Sequence, residues 1–122
     1  MDSKNVKENA KDNQHHLMNL VNSNPKTLKT ILKHNELFAG VYAISNRNDD
    51  VEVIYVGESG QITNRLQHHV SGTNSSVLKQ KTGLDFDELK WYKVRYRRMA
   101  NEKQRKLFEK YAISVLKPKF NL

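Results

Sequence analysis

The order of apolar and polar positions divides the chain into a polar beginning, a helical stretch, two strands, and then helices interrupted by one further strand. Residues 1–14 carry charges and amides with almost nothing to bury, so they are expected to be mobile or to order only against a partner. Apolar residues begin at Leu17, Met18, Leu20 and Val21. Asn24 and Pro25 then offer an N-cap and a first helical position for a helix through Leu28, Ile31 and Leu32, as far as Leu37. Residues 38–45 and 51–57 are β-rich and flank the polar run Asn46, Arg47, Asn48, Asp49, Asp50, which predicts an antiparallel hairpin. If Asn46 pairs with Val51 across a four-residue loop, the register continues two by two until Tyr42 lies opposite Tyr55 on one face.

After Gly57 the period changes. Ile62, Leu66 and Val70 form an i, i+4, i+8 apolar stripe on a helix, and Arg65 and His69 form a second i, i+4 pair beside it. Gly72, Thr73 and Asn74 end that helix, residues 75–80 read as a short helix closed by Gly83, and the β-branched and aromatic residues of 89–96 make a third strand. The clearest element is a final helix over 101–116, which buries Leu107, Phe108, Tyr111, Ala112, Val115 and Leu116 and stops before Pro118. Its flank carries Glu102, Arg105 and Glu109. The order predicts an α/β (α+β) fold with a small antiparallel three-stranded sheet surrounded by helices. A flexible N-terminus and helical prelude, 1–37, precede a domain over 38–122.

A chain of 122 residues closes one hydrophobic core but hardly two, so any site must stand on that core. Its 21 Lys and Arg against 13 Asp and Glu leave +8, which draws polyanions and makes nucleic acid the leading partner. With no long apolar run or signal-peptide core, no membrane partner is expected and the cytoplasm is the expected location. The absence of cysteine removes disulfides, thiolate catalysis and cysteine zinc sites together.

Cleavage of a phosphodiester needs positive charge at the phosphorane, a polarised water and a proton for the leaving oxygen. Arg65 has the planar fork that suits phosphate, and Glu109 has the hard oxygens that divalent cations prefer. Tyr42, Tyr55 and His69 are candidates to move protons or orient water. Taken singly, each has a plainer reading: a solvated helix arginine, a salt-bridged glutamate, two cross-strand packing tyrosines, a hydrogen-bonded boundary histidine.

Together they resemble the GIY-YIG nuclease family. The first signature stands as Gly40, Val41, Tyr42 and the second as Tyr55, Val56, Gly57, followed by Ser59. Valine replaces the isoleucine of the family name in both and keeps its β-branched shape. The family's helix arginine matches Arg65, the histidine of many members His69, its metal-binding glutamate Glu109, and the asparagine after the closing proline Asn121. The resemblance implies single-metal hydrolysis of DNA with Mg2+, Mn2+ able to substitute, Glu109 binding the metal and Tyr42 favoured over His69 as the base. Gly40, Gly57, Ser59 and Asn121 would support the site. Lys26, Lys29, Lys33, Lys79 and Lys81 are candidates for DNA contact, although nothing in the sequence separates them from a solvated basic face. The family includes homing, restriction and repair enzymes, and a restriction-like or phage-type role leads here. The alternative is a non-catalytic or partner-activated nucleic-acid-binding module of repair or recombination, with a protein partner or a second copy of the chain.

Overall fold

The computed structural model describes residues 3–34, 38–70 and 77–121. Helix α1 covers Ser3–Asn22, a two-residue strand β1 covers Lys26–Thr27, and α2 covers Leu28–His34. The hairpin strands are β2, Gly40–Asn46, and β3, Asp49–Ser59. Helices α3 (Ile62–Val70), α4 (Val77–Thr82) and α5 (Phe86–Leu89) follow, then strand β4 (Lys93–Arg98) and the last helix α6 (Glu102–Leu116).

Several expectations are corrected. The segment expected to be mobile is helical from Ser3 onward, since no Gly or Pro interrupts the chain before Pro25. Asn24 and Pro25 do not start α2. They precede β1, and Thr27 caps the helix instead, its hydroxyl accepting the Thr30 N–H at 3.2 Å. The third expected strand begins only at Lys93, because Phe86–Leu89 closes a helical turn in which the Leu89 N–H reaches the Asp85 carbonyl at 2.9 Å. The sheet has four strands in the order β1-β4-β2-β3, all neighbours antiparallel. Two residues were too few to announce β1. The expected end of α3 at Gly72, Thr73 and Asn74, and the proposed 37/38 boundary, lie outside the described residues.

The hairpin register also differs. Asn46 pairs with Asp49 across Arg47 and Asn48, and shifts at Ile44/Ser45 and Ser45/Asn46 bring Ile44 opposite Tyr55 and Tyr42 opposite Gly57. The tight turn is held by side chains. The Asn46 amide oxygen accepts the Asn48 N–H and the Asp49 carboxylate the Val51 N–H, each at 3.1 Å. Bulging absorbs the surplus residues of β3. Tyr42 and Tyr55 are therefore diagonal rather than opposite, yet still on one face.

Each face of the sheet buries its own cluster. On one side Tyr42, Ile44 and Tyr55 pack with Leu28 and Ile31 of α2 and Ile62 and Leu66 of α3. On the other, Val41, Ala43 and Val56 meet Leu20 of α1 and Phe108 and Ala112 of α6. The two outer layers thus hold α3 and α6 on opposite faces of β2 and β3. α6 matches expectation in its bounds, capped by the Asn101 side chain on the Gln104 N–H at 3.0 Å and ended by Lys117 at φ 48°, before Pro118. Its buried face differs in part: Phe108 and Ala112 are buried, whereas Leu107 and Val115 are exposed, because the helix turns Arg105, Phe108 and Ala112 inward.

Candidate active site

At the end of β3 the chain runs Gly57, Glu58, Ser59, Gly60 and turns into α3, where the Ser59 hydroxyl accepts the Gln61 N–H at 3.0 Å. A polar cavity of about 420 Å3 opens there, between the sheet, α3 and α6. Tyr42 and Tyr55 form one wall, Arg65 comes from α3, and Glu102, Arg105, Lys106 and Glu109 come from α6.

Tyr42 is fully buried with its ring centroid 6.3 Å from that of Tyr55. Its phenol lies over Gly57, where even a Cβ would strike the Tyr42 hydroxyl. Glycine is thus required opposite this tyrosine by close approach. Arg65 donates a side-chain hydrogen bond to each phenol. Burial pushes the Tyr42 phenol well above its ordinary value, Tyr55 adds to the shift, and Arg65 only partly opposes it. Tyr55 is pushed up in the same way by burial. Both are neutral phenols at rest.

Glu109 is half-buried on the side of α6 that faces the sheet. Its carboxyl is raised first by burial and second by the Glu58 carboxylate, and is favoured as the anion by the Glu58 backbone N–H, Arg65 and Lys106. Arg105 pairs with Glu58 at 2.8 Å, and Lys106 with Glu102 at 3.0 Å on the rim.

Of the residues named from sequence, Tyr42, Tyr55, Gly57, Ser59, Arg65 and Glu109 line this one cavity. Gly40 stands where a Cβ would strike the Arg97 carbonyl of β4, so it serves the sheet. Asn121 closes the open edge of β3: its amide accepts the Val56 N–H at 2.7 Å and donates to the Val56 carbonyl at 2.8 Å. The side chains of His69 and Lys79 lie outside the described residues. Lys26 and Lys29 belong to β1 and α2, at the sheet edge opposite β3, with Lys29 5.3 Å from the Trp91 ring; Lys33 is exposed near the end of α2. Lys81 donates to the Phe120 carbonyl at 2.7 Å. Lys26, Lys29, Lys33 and Lys81 are not among the described residues that line the cavity. Sequence reasoning missed Glu58, and placed Arg105 on the flank of the last helix without giving it a role. The only available signals were the position of Glu58 directly after Gly57 and the i, i+4 spacing of Arg105 and Glu109.

A buried tyrosine pair, a helix arginine bonded to both and a carboxylate facing them across a sheet end define a nuclease-type catalytic domain. Residues 38–121 match the GIY-YIG catalytic domain, and the chain belongs to that family. Among solved structures it is similar to the GIY-YIG N-terminal endonuclease domain of UvrC from Thermotoga maritima. Two tyrosine-to-phenylalanine point mutants of that domain, each bound to its catalytic divalent cation, align at 20% and 19% identity, both with a TM-score of 0.59 over 78% of this chain and 94% of theirs. No curated protein matches the chain at a significant level by sequence. No described helix is long and apolar enough to cross a membrane.

Proposed function

We propose that this chain hydrolyses DNA phosphodiester bonds with one divalent cation held by Glu109, and that Tyr42, Tyr55 and Arg65 surround the scissile phosphate. The observation that carries the reading is the convergence of these four side chains, from β2, β3, α3 and α6, on a single polar cavity. The residues fit a hard cation. Three carboxylates, Glu58, Glu102 and Glu109, line the cavity of about 420 Å3; Arg105 pairs with the first and Lys106 with the second, which leaves Glu109 to meet a cation with room for the waters that Mg2+ and Mn2+ retain. The UvrC domains bind their catalytic cation on a fold of the same kind.

Bound there, the cation would polarise the phosphate and lower the pKa of a water. Arg65 directs its guanidinium toward the phosphoryl oxygens and stabilises the charge that grows during attack. The water oxygen bonds to phosphorus, the P–O ester bond opposite breaks, and the water's proton leaves toward Tyr42. Because burial disfavours a stored phenolate, Tyr42 takes that proton only as its own phenol proton passes through a cavity water to the leaving oxygen, which departs as the hydroxyl, with Tyr55 and Arg65 holding the hydrogen-bond chain. His69 is the competing base, one turn after Arg65 on α3.

The test is Glu109→Gln on plasmid DNA in Mg2+. Cutting is expected to fall by at least a hundredfold, with DNA affinity little changed. Full activity of this variant removes Glu109 from the mechanism. A restriction-like or phage-type role remains the leading biology. The alternative, a nucleic-acid-binding module without turnover, has a use for Arg65 at a phosphate but none for a half-buried Glu109.

A further inference from the structure

The cavity contains a charged pair to which the chemistry above assigns no task. Arg105 stands one helical turn before Glu109 on α6 and is only 6% exposed, rare for an arginine without a specific demand on it. Its Nε donates to the Glu58 carboxylate at 2.8 Å, and its Nη1 to the Met99 and Ala100 carbonyls at 3.3 and 3.1 Å. One guanidinium therefore joins the end of β3, the connection into α6 and α6 itself. Glu58 meets Glu109 in two opposed ways: its backbone N–H bonds the Glu109 carboxylate, while its own carboxylate repels it. A hard cation gathers carboxylate oxygens, so two glutamates beside one cation site would both be drawn in. Arg105 holds one of them by a charge-assisted bond.

Resting on the metal reading above, we propose that Arg105 is a positioning residue for the reaction. It neutralises Glu58 and keeps that carboxylate turned from the cation, so that Glu109 alone serves as carboxylate ligand at a fixed height beside Tyr42 and Tyr55. A brace that merely holds α6 to β3 would give a different pattern on substitution. Breaking a brace from either end loosens the site and weakens metal binding in both cases. Charge compensation gives opposite signs, because losing Arg105 leaves an extra negative charge at the cation site and losing Glu58 leaves an extra positive one.

The experiment is Mn2+ binding to the DNA-free full chain, read by electron paramagnetic resonance, for wild type, Arg105→Ala, Arg105→Lys, Glu58→Gln and the double variant E58Q/R105A. Arg105→Ala is expected to bind Mn2+ roughly three- to tenfold more tightly and Glu58→Gln weaker by a similar factor, with Arg105→Lys and the double variant within about twofold of wild type. Single-turnover cleavage by Arg105→Ala at saturating Mn2+ should fall at least about tenfold with DNA affinity unchanged, since the metal is bound but displaced. Weakening in both single variants, or an unchanged cleavage rate in Arg105→Ala, overturns the proposal. If Arg105→Ala does not fold, Glu58→Gln and Arg105→Lys decide together: tighter or equal Mn2+ binding in the first, or weakened binding in the second, which keeps the charge but loses the fork to the Met99 and Ala100 carbonyls, overturns it. Glu109→Gln keeps the two readings apart. Mn2+ binding that survives in this variant rejects Glu109 as the ligand, whatever the signs at Arg105 and Glu58.

Discussion

Gly57 shows how one missing methyl group sets the chemistry at the residue scale. The Tyr42 phenol occupies the space a Cβ would take, so Gly57→Ala must push the ring away from Tyr55 and Arg65. The expected outcome is a cost of about 1–3 kcal/mol in denaturant unfolding, with single-turnover cleavage reduced by more than that stability loss explains. Glu109 supplies a second prediction, whose sign follows from its surroundings. Its folded carboxyl is raised by burial and by Glu58, so the folded chain holds that proton more tightly than the unfolded chain. Stability contributed at low pH is lost as pH rises from the ordinary carboxyl value of 4.5 through the raised folded one. At neutral pH without metal, Glu109→Gln should melt a few degrees above wild type, and Mn2+ should raise the melting temperature of wild type alone. A lower melting temperature for the variant in chelator would show that the charged carboxylate stabilises the fold.

Element docking is pH-dependent on the α1 side. Arg97 of β4 donates to His16 Nδ1 at 3.1 Å, and the His16 ring lies 5.5 Å from that of Phe108 in α6. That bond needs an unprotonated Nδ1. Burial and the Arg97 charge lower the His16 pKa, His15 acts in the same direction, and Asp12 opposes them. The unfolded chain therefore binds this proton more readily, and the stabilisation present above pH 6.5 is lost as pH falls from there through the lowered folded value. Thermal melts between pH 8 and 5 should show this loss in wild type, and His16→Gln should flatten it. An identical slope in the variant would assign the pH dependence elsewhere. Asn121 acts on a different element, since it pairs both polar groups of Val56 on the sheet edge. Asn121→Ala should cost about 1–3 kcal/mol, because it leaves a part-buried N–H and carbonyl without their partners.

For the whole molecule, the helices before the signature are structural partners of the family match rather than an appendage. Leu20 is fully buried with Phe108 and Val41, and Leu28 and Ile31 are buried with Tyr42 and Leu66. A chain shortened to 38–122 exposes both clusters and should fail to fold cooperatively or lose most of its stability, as read by circular dichroism on heating. Cooperative unfolding at the wild-type temperature would show that residues 1–37 fill no core. The net +8 charge, in turn, makes DNA affinity fall with salt for binding-competent variants alike, Glu109→Gln included, so salt dependence does not report on turnover.

By itself the sequence determined the elements whose information is local. The bounds of the final helix, from about Asn101 to the stop before Pro118, were legible nearly to the residue, although Leu107 and Val115 of its expected apolar face are exposed. The presence of the hairpin and of the helix carrying Arg65 was legible too, but not the hairpin register. The residues of the cavity wall came from a motif string read in order, which names side chains without saying what they touch. Tertiary structure decided everything that depends on a partner distant in the chain. Two Asx-type bonds and a bulge moved Tyr55 two residues along β2 from its expected place opposite Tyr42, to Ile44. Strand β1 exists only because β4 is there to pair with it, and helix α1 is anchored where Leu20 meets Phe108. The Arg105–Glu58 pair joins positions 47 residues apart. Periodicity reports how a segment meets a core, because burial repeats with the helix or strand; it carries no record of which opposite charge, 47 residues away, that core will bring within a hydrogen bond.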